Sequence, residues 1–265
     1  MPAPSVRGRL TVAAVFSLLV IGIAPPWSVA MADPRSPVDP HARPALVYQP
    51  EPGNVQARSA RPGRKQATFS ELVSPGTSQV VRTVSSTTYC RQVFCTVTQA
   101  WQRVDGVWRL VREFRSTIGP AGWDKRREGD GRSPTGVLRI KTVFSTTRRP
   151  IGDMTWRQRR PTSAVLATPG RLYNTWVEQP GRRDGARPSM RFGFVLDYNR
   201  VRMRSYVGPK PMQARGSGIF YHTSSSPQTR WEATAGCTKV GRPQQLRWLL
   251  EWLRPGAAPR VVQNR

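Results

Sequence analysis

The sequence predicts a mainly β domain with a single helix near its C-terminus. Three observations point there. Short apolar runs recur between residues 79 and 223, cut at close intervals by Gly and Pro. Asp105-Gly106 stands between two of these runs and suits a type I′ hairpin turn, which needs positive φ at both central residues. One later stretch alone repeats its apolar residues at helical spacing.

The chain opens with Arg7 and Arg9, then the apolar run LTVAAVFSLLVIGIA (10 to 24), then PPWSVAMADP. A basic start, a short apolar centre and Ala30-Met31-Ala32 form a secretory signal pattern, so residues 1–32 read as a signal peptide with Asp33 as the mature start. The run is shorter than the ~20 residues of a spanning helix, and Pro25-Pro26 ends it. An uncleaved anchor is the other reading; either way the rest of the chain is expected outside the cytoplasm, secreted or in the cell wall. Residues 33–65 are rich in Pro, Arg and Ala without apolar periodicity, which reads as a disordered linker and contains His41. Residues 66–265 are expected to form one domain.

Within it, QVVRTV (79 to 84) is the first expected strand. CTVTQAWQRV and VWRLVREF flank the Asp105-Gly106 turn, and GVLRIKTVF (136 to 144), RLYNTWVE (171 to 178), RFGFVLDY (191 to 198) and GIFYHT (218 to 223) follow. In the expected helix, Leu246, Leu249, Leu250 and Leu253 fall at i, i+3, i+4 and i+7. Pro243 stands near its start and Pro255-Gly256 after its end. Trp248 and Trp252 lie on a neighbouring flank, and the stripe is expected to pack against the sheet.

Lys and Arg number 42 against 15 Asp and Glu, a formal charge of +27 to which only five lysines contribute. In a cytosolic protein this would suggest nucleic acid. An exported chain meets acidic wall polymers and lipid headgroups instead, and a solvated arginine-biased surface accounts for the charge equally well. No nucleic acid partner is expected, and no dedicated protein partner is inferred.

Cysteine usage is more informative. Cys90 and Cys95, with four residues between them, are expected to form a disulfide in an oxidising compartment. Cys237 is then left unpaired, which suggests intermolecular pairing, a reactive nucleophile or a buried structural thiol. Zinc hydrolysis lacks its ligands, since the chain has two histidines and one falls in the linker. No serine has a lysine three residues on, and no G-x-S-x-G elbow occurs. No metal or cofactor is expected.

What remains is Cys237 with His222, in YHTSSSPQTRWEATAGCTKV (221 to 240). A thiol nucleophile needs an imidazole to take its proton and later hand it to a leaving amine. Gly236 lets a substrate carbonyl approach the backbone, and the N–H groups around Gly236 and Cys237 offer an oxyanion hole. An inert buried cysteine is the alternative.

At this point the sequence resembles a family. GSGIFYH, then TAGCTKV, then a leucine-rich helix is similar to the active-site block of the L,D-transpeptidases with a YkuD-like catalytic domain. REGDGRSPTGVLRI (127 to 140) resembles that family's D-G-K/R-T/S-P-x-G-x-F-x-I segment, and YNTWVE (173 to 178) and FVLDYNR (194 to 200) resemble actinobacterial versions. The resemblance covers residues 70 to 255. The family quartet [S/T]-H-G-C appears here as Thr234-Ala235-Gly236-Cys237, with eleven residues between His222 and Thr234 and with Ala235 in place of its histidine. Thr238-Lys239 replaces a hydrophobic residue followed by Arg or Asn.

The resemblance implies a mixed, mostly antiparallel β-sandwich with few helices. It also implies a cysteine acyltransferase of the cell wall, without cofactor, acting on peptidoglycan stem peptides. Cys237 would be the nucleophile and His222 its base and acid, with Gly236 and Thr234 shaping the pocket and Lys239 a candidate for holding the peptide. Two other classes stay open: a secreted cysteine peptidase, in which water replaces the acceptor amine, and a non-catalytic wall-binding protein on the same scaffold.

Overall fold

In the computed structural model, which describes residues 69–203 and 208–264, the expected hairpin is present: Asp105 and Gly106 have φ of 50° and 77°. The signal pattern at 1–32, the linker at 33–65 and His41 lie outside the described residues. The strands are β1 (Gln79–Ser85), β2 (Cys95–Val104), β3 (Val107–Thr117), β4 (Gly136–Ser145), β5 (Trp156–Gln158), β6 (Ser163–Val165), β7 (Trp176–Glu178), β8 (Phe192–Leu196), β9 (Phe220–His222), β10 (Thr238–Val240) and β11 (Arg260–Gln263). The helix α1 spans Pro243–Trp252.

Nine strands form one sheet in the order β11-β1-β2-β3-β10-β9-β8-β4-β5. β11 also pairs with β4, which closes the sheet on itself like a barrel. The pairs β1·β11, β9·β10 and β4·β5 are parallel, and the other pairings of this sheet are antiparallel. The architecture is therefore mainly β, mixed and mostly antiparallel, and the layers of the expected sandwich arise from one sheet that closes. β6 and β7 form a separate antiparallel pair.

The leucine stripe packs as its spacing predicts. Leu246, Leu249, Leu250 and Leu253 are fully buried, in one cluster with Val81, Phe114, Phe194, Tyr221 and Val240 of the sheet. Burial of each such side chain is worth about 1.5–3 kcal/mol. Pro243 occupies the start of α1, where its missing N–H is harmless. Trp248 stacks on Trp252 at 5.8 Å and meets Phe114 edge-on at 5.6 Å.

Buried hydroxyls join the strands within this apolar frame. Tyr221 Oη and Thr98 Oγ1 lie 2.6 and 2.8 Å from Thr83 Oγ1, and Thr98 donates to Ser116 at 2.9 Å. Gln263 of β11 donates to Thr238 of β10 at 2.6 Å. Polar groups withdrawn from water need such partners, so the chain of bonds fixes which strands face each other.

One expected strand is shorter than its apolar run. In RLYNTWVE only Trp176–Glu178 forms a strand, with Thr175 making a single bridge to Arg202, because Asn174 takes φ of 49° and donates its side-chain amide to the Tyr198 and Asn199 carbonyls. Cys90 and Cys95 are disulfide-bonded with Cα atoms 6.0 Å apart, and Cys237 is a free thiol.

Candidate active site

The parallel register of β9 and β10 builds the centre of the site. Thr238 lies opposite Tyr221 and Lys239 opposite His222. Cys237, one residue before β10, therefore arrives beside Phe220, whose backbone N–H points at Sγ from 3.4 Å. The Gly218 carbonyl lies 3.5 Å from the same sulfur. Histidine at the end of β9 and cysteine just before β10, fifteen positions apart in sequence, are thus brought together by two adjacent strands.

His222 is only 8% exposed, and its Nδ1 lies 2.7 Å from the Thr223 carbonyl oxygen. A carbonyl can only accept, so in the neutral ring Nδ1 carries the hydrogen and Nε2 keeps its lone pair. Burial pushes the imidazole down to about 4; hydrogen bonds to the Thr223 and Ser189 backbones oppose this, and the charges of Lys239 and Arg159 add to it. Burial also pushes the Cys237 thiol up to about 11, against the pull of the Phe220 N–H, Lys125 and Arg159. At neutral pH the resting pair is a thiol and a neutral imidazole. Among the described residues no hydrogen bond joins Sγ to the His222 ring. The pair is therefore neutral at rest rather than a preformed ion pair.

The quartet is held as a tight turn. Gly236 has φ of 131°, and a Cβ there would lie 2.7 Å from the Arg132 carbonyl oxygen, so only glycine fits without strain. Thr234 Oγ1 accepts the Gly236 N–H at 3.1 Å and donates to the Cys237 carbonyl at 2.6 Å. Thr234 therefore shapes the loop that presents the thiol. The Gly236 N–H, one of the two donors expected for an oxyanion hole, is engaged inside the turn in this structure. The Cys237 N–H enters no hydrogen bond among the described residues and remains as the donor at this position.

Lys239, the candidate for holding the peptide, lies on β10 opposite His222. It is 5% exposed, and its Nζ donates to the Thr229 carbonyl at 2.7 Å. Its ammonium ties down the loop that leads to the quartet instead of reaching toward a peptide. Ala235, where the family's histidine would stand, is exposed at the surface.

Sequence reasoning missed the groups that support the quartet from the other side. Asp130 accepts the backbone N–H groups of Arg126, Arg127 and Arg132 at 2.7, 3.0 and 3.0 Å, and the Lys125 ammonium at 2.9 Å. Burial works against its charge, but these donors outweigh it and hold the carboxyl well below the usual range. The loop so ordered places the Ser133 hydroxyl 2.8 Å from the Gly236 carbonyl oxygen. REGDGRSPTGVLRI was a visible signal for this loop, but not for its contact with the quartet. Arg159, buried near the thiol, had no signal at all among the many arginines of the chain.

A comparison with curated proteins finds no match. A family model, the YkuD L,D-transpeptidase catalytic domain, matches residues 97–262. The match runs from β2 into β11 and contains the Asp130 loop, β9 with His222, and the quartet with Cys237. It covers more than half of the chain, and together with the closed, mixed sheet it shows that this chain belongs to the YkuD family of L,D-transpeptidase catalytic domains.

Proposed function

We propose that this chain is an exported cysteine acyltransferase that cross-links peptidoglycan through an acyl-enzyme thioester. The observation that carries the reading is the placement of Cys237 beside β9 and its neutral His222, on a loop where the Cys237 N–H meets no acceptor among the described residues. The donor is a tetrapeptide stem. Cys237 sulfur attacks the carbonyl that links the third residue to the terminal D-alanine, while His222 Nε2 takes the thiol proton. The carbon–nitrogen bond breaks, the departing D-alanine amine receives that proton, and a thioester remains. A side-chain amine of a second stem then attacks the thioester, giving a 3→3 cross-link and returning the proton to sulfur. The Cys237 N–H meets the oxyanion that forms in both steps.

Export rests on the signal pattern at 1–32, and the formal charge of +25 that remains once Arg7 and Arg9 leave with it suits attraction to anionic wall polymers. The test is incubation of the mature protein with purified muropeptides, followed by mass spectrometry. A dimer mass is expected in the wild type and absent in Cys237→Ser. Loss of D-alanine without a dimer would establish a carboxypeptidase, with water as acceptor, and no change in either would leave only wall binding.

A further inference from the structure

Arg159 follows β5 and is 4% exposed. Its Nη2 donates to the Asp184 carbonyl at 3.1 Å, while its Nε and Nη1 are buried without a hydrogen-bond partner. None of the ion pairs among the described residues includes it. What surrounds the guanidinium is aromatic: its carbon lies 5.4 Å from the ring centres of Phe144 and Trp176 and 6.0 Å from that of Phe220. Ring faces attract a cation, but a buried charge with no carboxylate in direct contact is costly to keep. Such a charge calls for an anion, permanent or transient.

The same rings carry the thiol. Cys237 packs against the cluster of Phe144, Trp176 and Phe220. Phe220 links the two directly, since its ring lies beneath the guanidinium and its backbone N–H reaches Sγ at 3.4 Å. We propose that Arg159 is a positioning residue for catalysis, whose fixed positive charge, set across Phe220 from the sulfur, stabilises the Cys237 thiolate as its proton leaves. The inference rests on the reading of Cys237 as the nucleophile.

The other charges facing this centre leave Arg159 distinctive. Lys125 pulls on Cys237 more strongly than Arg159 does, but that ammonium is paired with Asp130 at 2.9 Å, whereas Arg159 has no ion pair among the described residues. Arg159 is attracted by Asp184 and Glu178 and repelled by Arg187. Burial lowers it to about 10, so it stays charged at neutral pH. His222 feels both Lys239 and Arg159, which disfavour a lasting imidazolium. One cation thus favours the anion on sulfur and discourages the proton from resting on the ring, which suits its onward transfer to the departing amine.

The test is the pH dependence of Cys237 alkylation by iodoacetamide in the full chain, with peptide mass mapping and a far-UV spectrum of each variant. In Arg159→Met the midpoint should rise by about one pH unit, so alkylation at pH 7 should slow roughly tenfold. Arg159→Lys, which keeps the charge, should stay within a few tenths of a unit of wild type. A folded Arg159→Met with the wild-type midpoint overturns the proposal. So does an Arg159→Lys midpoint displaced as far as that of Arg159→Met, since packing would then matter rather than charge. If Arg159→Met does not fold, Asp184→Asn serves in its place: its side chain is 30% exposed, and it removes the carboxylate that attracts Arg159 most strongly. Its midpoint should fall, and an unchanged or higher one overturns the proposal. No peptidoglycan enters these measurements, so a shifted midpoint without cross-linked product would keep this inference while ending the transfer reading.

Discussion

The Ser133 hydroxyl meets the Gly236 carbonyl oxygen at 2.8 Å, joining residues 103 positions apart in the chain. Ser133 Oγ also accepts the Gly119 N–H at 3.1 Å and lies 3.4 Å from the Cys237 carbonyl oxygen. The Asp130 loop and the quartet are therefore one built unit. The geometry of the thiol depends on a loop that is remote from it in sequence.

Ser133→Ala removes a fully buried hydroxyl and leaves the Gly236 carbonyl without this donor. The expected cost is about 1–3 kcal/mol of stability. Covalent capture of a carbapenem, whose strained carbonyl imitates the donor, should slow at Cys237. Denaturant unfolding together with the rate of adduct formation by mass spectrometry checks both parts. An unchanged capture rate would separate the loop from the chemistry.

Gly236→Ala places a Cβ 2.7 Å from the Arg132 carbonyl oxygen at a φ of 131°. Strain of this kind costs about 1–3 kcal/mol, and relieving it must move Cys237. The variant should unfold at lower denaturant and react poorly with iodoacetamide in its native state, while its denatured thiol reacts normally. Wild-type values for both would show that the turn tolerates a side chain.

The buried imidazole predicts a pH slope. Unfolded, His222 binds a proton near 6.5, whereas in the fold it does so only near 4. Between those values the unfolded chain holds more protons, so stability rises with pH. The contribution, about 3 kcal/mol, is complete above about pH 6.5 and disappears as pH falls toward 4. Urea titrations at pH 7 and pH 4.5 should show a clearly larger loss for wild type than for His222→Gln. Equal losses would mean that this histidine does not cause the slope.

Thiol titration of unreduced, denatured protein should find one reactive thiol, from Cys237, since Cys90 and Cys95 are bonded. Replacing both bonded cysteines with alanine should lower stability by about 2 kcal/mol in the chain-entropy view, because the closed loop is short. Three titratable thiols would contradict the bond.

Legibility followed length and period. The strands of the Asp105-Gly106 hairpin, β4 and α1 are long enough to show alternation, turn chemistry or helical spacing, and each was expected from sequence. β10 and β11 were not. TKV is fully buried and RVVQ nearly so, which leaves no alternation to read, and each has three or four residues. His222 and Cys237 were legible because histidine and cysteine are scarce here. Ser133, Asp130 and Arg159 were not, because serine, aspartate and arginine usually serve the surface, and only the fold brings these three to the quartet. The contact of Lys239 with the Thr229 carbonyl was illegible for the same reason, since a lysine's residue type fits a peptide carboxylate as well as a backbone carbonyl.

The closing strand has a consequence in time. β11 pairs with β1 at Val80↔Arg260 and with β4 at Val261↔Leu138, and it donates through Gln263 to Thr238 beside the quartet. A chain that emerges from its N-terminal end therefore carries its thiol before it carries the strand that seals the barrel. Until residues 260 to 263 arrive, the edges of β1 and β4 that will receive them lack their partner. Thr238, next to the Cys237 thiol, therefore gains its Gln263 partner only after every other strand of the closed sheet has been made.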